Sequence, residues 1–103
     1  MKSFALVTGA SSGIGLQICH SLASRGYNVI LTSRSKDKLK SISEQIISKY
    51  KVESNFFPTD LADNNVPQNI FNFCKSHNYN IDILINNTGY ALPESFVKNS
   101  DDD

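Results

Sequence analysis

Short apolar runs alternate with segments of helical periodicity along the whole chain. In the runs at 4–7, 29–32 and 81–85 nearly every residue is apolar, which is typical of parallel strands that are covered on both faces, whereas the run that ends with Phe56-Phe57-Pro58 is more mixed. In the three segments between them, apolar residues recur every three or four positions, as in amphipathic helices. The pattern predicts strands over residues 4–7, 29–32, about 52 to 58, and 81–85, with a helix between each strand and the next.

The helix boundaries are predicted from residues that favour helix ends. Gly26 suits the position after the first helix because glycine adopts the left-handed conformation easily. Ser35 is a candidate N-cap of the second helix, while Asn64 or Asn65, followed by Pro67, opens the third. The apolar repeats are Ile14, Ile18 and Leu22 in the first helix, Leu39, Ile42, Ile46 and Tyr50 in the second, and Val66, Ile70, Phe73 and Cys74 in the third.

Alternating strands and helices predict βαβ units on one parallel sheet. Right-handed crossovers then give the strand order 3-2-1-4, the first half of a Rossmann-type, doubly wound α/β fold. We expect one domain of this fold over residues 1–92 and a polar C-terminal tail over residues 93–103. Because the carboxyl ends of parallel strands share one edge, Gly9, Arg34, Asp60 and Asn87 should meet there and form a nucleotide site.

Size, charge and cysteine content narrow the classes of function. The chain has 103 residues, enough for one domain, and its 10 basic and 10 acidic residues give a formal net charge of zero. We therefore expect neither nucleic acid nor a membrane as a partner. Without a spanning apolar run or a signal-peptide pattern, the expected location is the cytoplasm. Cys19 and Cys74 have no metal-binding spacing, so we expect them to pack as thiols in a reducing compartment, and we expect no metal site.

A glycine-rich turn separates the first strand from the first helix. Residues 8–15 read Thr-Gly-Ala-Ser-Ser-Gly-Ile-Gly. A strand, a glycine turn and a helix in this order place backbone N–H groups and a positive helix end at one point, where a diphosphate can bind; a plain tight turn is the alternative. We expect Gly9 to turn out of the strand, Gly13 to let phosphates approach the backbone, and Gly15 to let the helix pack closely.

The end of the second strand indicates which dinucleotide binds. A carboxylate at this place favours NAD, but the sequence here is Thr32-Ser33-Arg34. The Arg34 guanidinium can pair with a 2′-phosphate, which predicts NADP over NAD; the alternative is an arginine that is only solvated. Asp60 can accept a hydrogen bond from the adenine amino group while the Leu61 amide donates to the ring, and an Asx turn at Asp60 is compatible with that role.

Three motifs in this order resemble the short-chain dehydrogenase/reductase family: residues 8–15, Asp60-Leu61, and Asn-Asn-Thr-Gly at 86–89. The segments at 28–34 and 81–87 resemble, more narrowly, its bacterial NADP-preferring reductases. The resemblance implies hydride transfer between NADP(H) and a small-molecule carbonyl/alcohol pair. Thr88 departs from the family, which has alanine there. The cofactor contacts that the resemblance implies are Gly9, Ser11, Ser12, Gly13, Ile14, Gly15, Asp60, Leu61, Asn86, Asn87 and Gly89.

The catalytic groups of that family have no counterpart in these 103 residues. The family uses a Tyr-x-x-x-Lys pair, in which the lysine lowers the tyrosine pKa for proton exchange with the substrate oxygen, together with a serine and an asparagine on later elements. None of the four tyrosines, at 27, 50, 79 and 90, is followed by lysine four residues on. We therefore assign no catalytic residue. We expect the chain to be a truncated cofactor-binding half that is inactive alone and lacks the helices through which the family oligomerises.

Two other interpretations stay open at this point. A nucleotide-binding module without catalysis fits the same residues. A flavodoxin-like domain that binds a phosphate ligand fits the topology, although the two serines of the turn and the Asn-Asn-x-Gly segment argue against it. We expect Tyr90 to be a loop aromatic beside the cofactor, and His20 and His77 to be surface residues.

Overall fold

The structure, a computed structural model, describes residues 2–60 and 65–87. Its elements are β1 (Lys2–Thr8), α1 (Gly13–Ser24), β2 (Asn28–Ser33), α2 (Lys36–Tyr50), β3 (Ser54–Pro58), α3 (Val66–Ser76) and β4 (Tyr79–Ile85). The four strands are parallel and lie in the order β3-β2-β1-β4. This confirms the predicted Rossmann-type α/β fold and its strand order.

The sheet is covered on both faces, which explains why its inner strands carry consecutive apolar residues, Phe4 to Val7 in β1 and Val29 to Leu31 in β2. Alternate side chains of a strand point to opposite faces, so β1 and β2 each contribute to two layers of core. One layer lies under α1 and α2, and the other under α3. The buried residues of the first layer are Val7, Ala10, Cys19, Ala23, Val29, Leu31, Leu39, Ile42 and Ile46; those of the second are Phe4, Leu6, Ile30, Val66, Ile70, Cys74 and Ile81.

Helix α1 packs through small residues rather than through its isoleucines. The side chain of Ile14 is 68% exposed, whereas Ile18 and Leu22 are partly buried against the core. The predicted repeat therefore lies beside the face of α1 that contacts the sheet, and not at its centre. Small residues bring the helix close to the sheet and leave no room for larger side chains between them. The residues on the contact line are Gly15, Cys19 and Ala23.

The predicted helix ends are correct in place but not in bonding. Ser35 and Asn65 occupy the N-cap positions of α2 and α3, yet neither side chain makes a capping hydrogen bond. The backbone N–H of Ser35 instead donates to Ser33 Oγ at 3.2 Å. Gly26 follows the end of α1 with a φ of 92°, as predicted. Strand β3 is shorter than predicted, because its ladder with β2 begins only at position 54.

Hydrogen bonds beyond the strand ends hold the four carboxyl termini of the sheet together. Each bond joins one strand or its following loop to the next strand in the sheet, so the loops that follow β1, β2, β3 and β4 share one edge. This edge is called the carboxyl edge below. The bonds run from the Thr59 N–H to the Ser33 carbonyl at 2.7 Å, from the Ala10 N–H to the Thr32 carbonyl at 3.0 Å, and from the Asn87 N–H to Thr8 Oγ1 at 2.8 Å.

Two buried threonines that are paired across β1 and β2 differ in what their hydroxyls do. Thr8 and Thr32 are register partners, and both are fully buried. Besides accepting from Asn87, the Thr8 hydroxyl can donate to Asn86 Oδ1 at 3.2 Å. The Thr32 hydroxyl has no hydrogen-bond partner among the residues that the structure describes. A buried hydroxyl stabilises a fold only when it is bonded, so the two should respond differently to replacement by valine.

We expect Thr8→Val to lower the free energy of unfolding by about 1–3 kcal/mol, because the Asn87 N–H loses its acceptor. Thr32→Val, the matched control, should leave stability unchanged or raise it, since valine removes an unbonded polar atom. Thr8→Ser should retain most of the stability. Denaturant unfolding of the three variants measures the contrast, and equal losses at Thr8 and Thr32 would contradict it.

The cysteines lie on opposite faces of the sheet as free, buried thiols, Cys19 under α1 and Cys74 under α3. Burial raises the pKa of Cys19 to about 12 and that of Cys74 to about 11. Among the described residues, no three or more histidine, cysteine, aspartate or glutamate side chains group in a way that could hold a metal ion. In the same part of the chain, no helix has the length and apolar character needed to cross a membrane.

Both thiols should react slowly with a maleimide at pH 8 in the folded chain, because the thiolate is the reactive form and burial disfavours it. In denaturant both should react at the rate of a free cysteine, which is the control. The raised pKa values also fix a pH dependence. The stability contributed by the buried thiols is present below about pH 9 and is lost as the pH rises toward 11 to 12. Fast labelling of the folded chain would show that the thiols are not buried.

Candidate nucleotide-binding site

The turn between β1 and α1 depends on two glycines with left-handed backbone. Gly9 has a φ of 63° and Gly13 a φ of 59°. Other residues are strained in this conformation, so the turn favours glycine at both positions. Between them, Ala10 is buried, and its N–H bond to Thr32 fixes the turn to β2. The loop therefore leaves the sheet in one defined direction.

Gly15, in the first turn of α1, lies directly against the preceding loop. A Cβ atom at this position would overlap the Gly9 carbonyl oxygen and lie 3.0 Å from Asn87 Nδ2. The close packing predicted for Gly15 is thus confirmed. Its neighbours are the glycine turn and the end of β4 rather than the middle of a strand, so the absence of a side chain here lets three segments meet.

The N-terminus of α1 is open toward the carboxyl edge. Ser12, its N-cap residue, has extended backbone and makes no side-chain capping bond. Among the described residues, apart from Gly13 and its chain neighbours, no heavy atom lies within 4 Å of a Cβ built on Gly13. The space beside the start of α1 is open in this part of the chain, and the first-turn N–H groups and the positive end of a helix suit an anion such as a diphosphate there. The exposed side chain of Ile14 lies beside them, where it can cover an apolar part of a ligand.

Asn86 and Asn87 attach the end of β4 to the glycine turn. In addition to the bond from its N–H to Thr8, Asn87 donates from Nδ2 to the Gly9 carbonyl at 3.4 Å. Asn87 itself stays exposed. Both asparagines thus lie where the sequence placed them, at the edge of the crevice between β1 and β4. Gly89, Tyr90 and Leu61, which the sequence also assigned to this region, lie outside the described residues.

Arg34 and Asp60 follow β2 and β3 at the same edge, and both side chains are exposed. The bond between Thr59 and Ser33 holds their two loops side by side. The first acidic residue after β2 is Asp37, which already belongs to the first turn of α2. A guanidinium, and not a carboxylate, therefore occupies the place at the end of β2 that decides between the two dinucleotides.

Sequence reasoning missed the role of one residue and misplaced another. Thr8 was part of the glycine motif but had no role assigned, although a polar residue that ends an apolar strand before a glycine is a usable signal. His20 is half-buried rather than a surface residue, and its Nδ1 lies 2.9 Å from the Tyr50 hydroxyl, which links α1 to α2. His77 is exposed, as expected, and its Nδ1 donates to the Phe73 carbonyl at the end of α3.

Known proteins share this sequence pattern. The model of the short chain dehydrogenase family matches residues 3–103. A very-long-chain 3-oxoacyl-CoA reductase of Eremothecium gossypii is 36% identical over 105 residues, which cover 98% of this chain and 29% of that protein. Hydroxysteroid dehydrogenase-like protein 1 of Gallus gallus is 41% identical over 102 residues, which cover 96% and 30%. The chain therefore spans about three tenths of the length of these curated relatives.

Solved structures share the fold as well. A short-chain dehydrogenase from Sphingobium yanoikuyae in complex with NADPH superposes with a TM-score of 0.74 at 30% identity, over 88% of this chain and 35% of that one. L-sorbose reductase from Gluconobacter frateurii, complexed with NADPH and L-sorbose, gives 0.78 at 31% identity, over 86% and 34%. With the family model matching nearly the whole chain, this protein belongs to the short-chain dehydrogenase/reductase family of oxidoreductases.

Proposed function

We propose that this chain forms the NADP(H)-binding part of an oxidoreductase that transfers hydride between NADP(H) and a carbonyl/alcohol pair. The observation that carries the proposal is the combination of the open N-terminus of α1 with the exposed Arg34 at the end of the neighbouring strand. The first suits the diphosphate that NAD and NADP share, and the second suits the 2′-phosphate that only NADP carries. The two NADPH complexes named above support it.

The described residues act by binding and orientation. First-turn N–H groups of α1 would hold the diphosphate, Asp60 would accept from the adenine amino group, and Asn87 would lie against the adenosine ribose. Because hydrogen bonds attach the loops to one another, these contacts keep fixed relative positions. Bound NADP(H) supplies the hydride, and the loops of the carboxyl edge determine where it is presented.

We propose a small-molecule carbonyl or alcohol as the substrate. The relatives are named for 3-oxoacyl-CoA and L-sorbose, compounds of very different size that share a carbonyl group. The loops that would select among such compounds are outside the described residues. We also propose the cytoplasm as the location, since two free buried thiols suit a reducing compartment.

A nucleotide-binding module without catalysis is the second candidate. It rests on the same two features, the open N-terminus of α1 and the exposed Arg34, which would bind a nucleotide without any catalytic group. Both candidates predict NADPH binding, and neither predicts turnover by these 103 residues alone. A Tyr-x-x-x-Lys pair encoded downstream of the codon for Asp103, found by sequencing past it, would favour the oxidoreductase. No such pair in any reading frame would favour the module.

We expect NADPH to bind about 10- to 100-fold more tightly than NADH, because a charge-assisted hydrogen bond contributes roughly 1.5–3 kcal/mol. Arg34→Ala should remove most of this difference and leave NADH affinity nearly unchanged. Arg25→Ala is the control, because Arg25 is exposed and follows the C-terminus of α1, at the edge of the sheet opposite the carboxyl edge. Titration calorimetry measures six affinities, those of the unchanged chain and of the two variants for each nucleotide. Equal binding of NADH and NADPH by the unchanged chain would refute the role of Arg34.

Gly13→Val should abolish the binding of both nucleotides, because its side chain would fill the open space over the α1 N-terminus. Backbone strain is a competing cause, and Gly26→Val controls for it. Gly26 also has positive φ and no atom within 4 Å of a built Cβ, but it lies at the far end of α1. We expect both variants to lose stability and only Gly13→Val to lose binding at temperatures where both are folded. Retained affinity in Gly13→Val would remove the argument that phosphates approach this backbone.

A further inference from the structure

The basic residues of the chain are unevenly distributed. Six of the ten lie between positions 34 and 51. Three of these, Lys36, Lys38 and Lys40, fall within the first five positions of α2, next to Arg34, and all four side chains are exposed. One end of this helix is therefore cationic in a chain whose net charge is zero.

This placement opposes what a helix favours. The N-terminus of a helix carries a partial positive charge, so cations there are unfavourable, and like charges four residues apart repel each other. Asp37 is the one acidic residue of that first turn, and Ser35 provides no side-chain cap. Within residues 2–60 and 65–87, no ion pair engages Arg34 or the three lysines. The described part of the fold therefore offers these four cations no stabilising ion pair.

The same helix end lies beside the proposed nucleotide site. Helix α2 starts directly after β2, and β2 is the neighbour of β1, whose loop forms the glycine turn. A dinucleotide bound at the α1 N-terminus and Arg34 would therefore lie close to the first turn of α2. NADPH carries the diphosphate charges of NADH and, in addition, about −1.5 to −2 on its 2′-phosphate. A positive field at this approach attracts NADPH more strongly.

Resting on the proposed function, we infer that Lys36, Lys38 and Lys40 steer NADP(H) toward the site and select it over NAD(H) by its rate of association. Flexible, hydrated lysines act at a distance without holding the bound ligand. Their effect therefore falls on the association rate constant, whereas the contact made by Arg34 falls on dissociation. Asp37 and Asp60, the acidic residues beside these cations in the described part of the chain, oppose this attraction but do not outweigh four cations.

The test compares two triple variants of equal net charge in the full chain. Lys36→Gln/Lys38→Gln/Lys40→Gln removes the cations at the carboxyl edge. Lys49→Gln/Lys51→Gln/Lys75→Gln removes three exposed lysines from the C-terminal ends of α2 and α3, at the edge of the sheet opposite the carboxyl edge. Stopped-flow fluorescence gives association and dissociation rate constants for NADPH and NADH at ionic strengths from ~0.05 to ~0.5 M, over which the Debye length falls below about 10 Å.

We expect the first triple variant to lower the NADPH association rate constant by about 3- to 10-fold at the lowest salt, with a smaller loss for NADH and none for the control variant. The loss should vanish at the highest salt, and dissociation should change by less than about 2-fold. Its thermal midpoint should equal or exceed that of the unchanged chain, because cations leave a helix N-terminus.

Three results would overturn the inference: equal losses in both triple variants, a loss that salt does not screen, or a change confined to dissociation. The last would make the lysines direct ligands of the bound nucleotide. If the unchanged chain prefers NADPH and the first variant associates as fast as the control, the inference fails and the proposed function stands. If the unchanged chain binds neither nucleotide, both fail.

Discussion

The close approach of α1 to the glycine turn is the contact on which the site depends. At Gly15 the helix lies so near the Gly9 carbonyl that even one methyl group would overlap it. Any residue larger than glycine would push the helix N-terminus away from the end of β1. The same contact includes the side chain of Asn87, so a displaced helix would also separate β1 from the loop after β4. The candidate nucleotide site thus requires glycine, with no side chain, at position 15.

The hydrogen bonds of the carboxyl edge turn four separate loops into one surface. In a parallel sheet the ladder ends with the last paired residue, and nothing in the ladder itself fixes the loops that follow. Here backbone bonds from Thr59 and Ala10, in the loops after β3 and β1, to the last two residues of β2 continue the connection. Between β1 and β4 the Thr8 hydroxyl makes the connection instead, by accepting from the Asn87 N–H. A side chain thus provides the link here that backbone carbonyls provide at β2.

The sequence was sufficient for the fold because each signal had one physical cause. Runs of consecutive apolar residues imply strands in a sheet that is covered on both faces. The strand order then follows from right-handed crossovers. The sequence did not predict which residues of α1 contact the sheet, because the closeness of the helix to the sheet matters there more than the periodic spacing of large apolar residues. Ile14, Ile18 and Leu22 have helical spacing, but the contact line of α1 runs through smaller residues that a hydrophobicity pattern ranks low. Likewise, the apolar runs alone do not distinguish the bonded hydroxyl of Thr8 from the unbonded one of Thr32, since each threonine directly follows such a run; only the glycine after Thr8 differs.

The two edges of the sheet differ in how far they follow the rules of stable folding. At the edge where the helices end, Gly26 follows α1, Lys49 and Lys75 lie in last turns where cations are favoured, and the His77 ring bonds a terminal carbonyl. At the carboxyl edge the helices begin without side-chain caps, an isoleucine is exposed, and lysines occupy a helix N-terminus. Each departure leaves a donor, an apolar surface or a positive charge without use inside the described fold. A diphosphate, a nicotinamide or adenine ring, and a 2′-phosphate would use all three, so the imperfections of this edge together match the chemistry of one ligand.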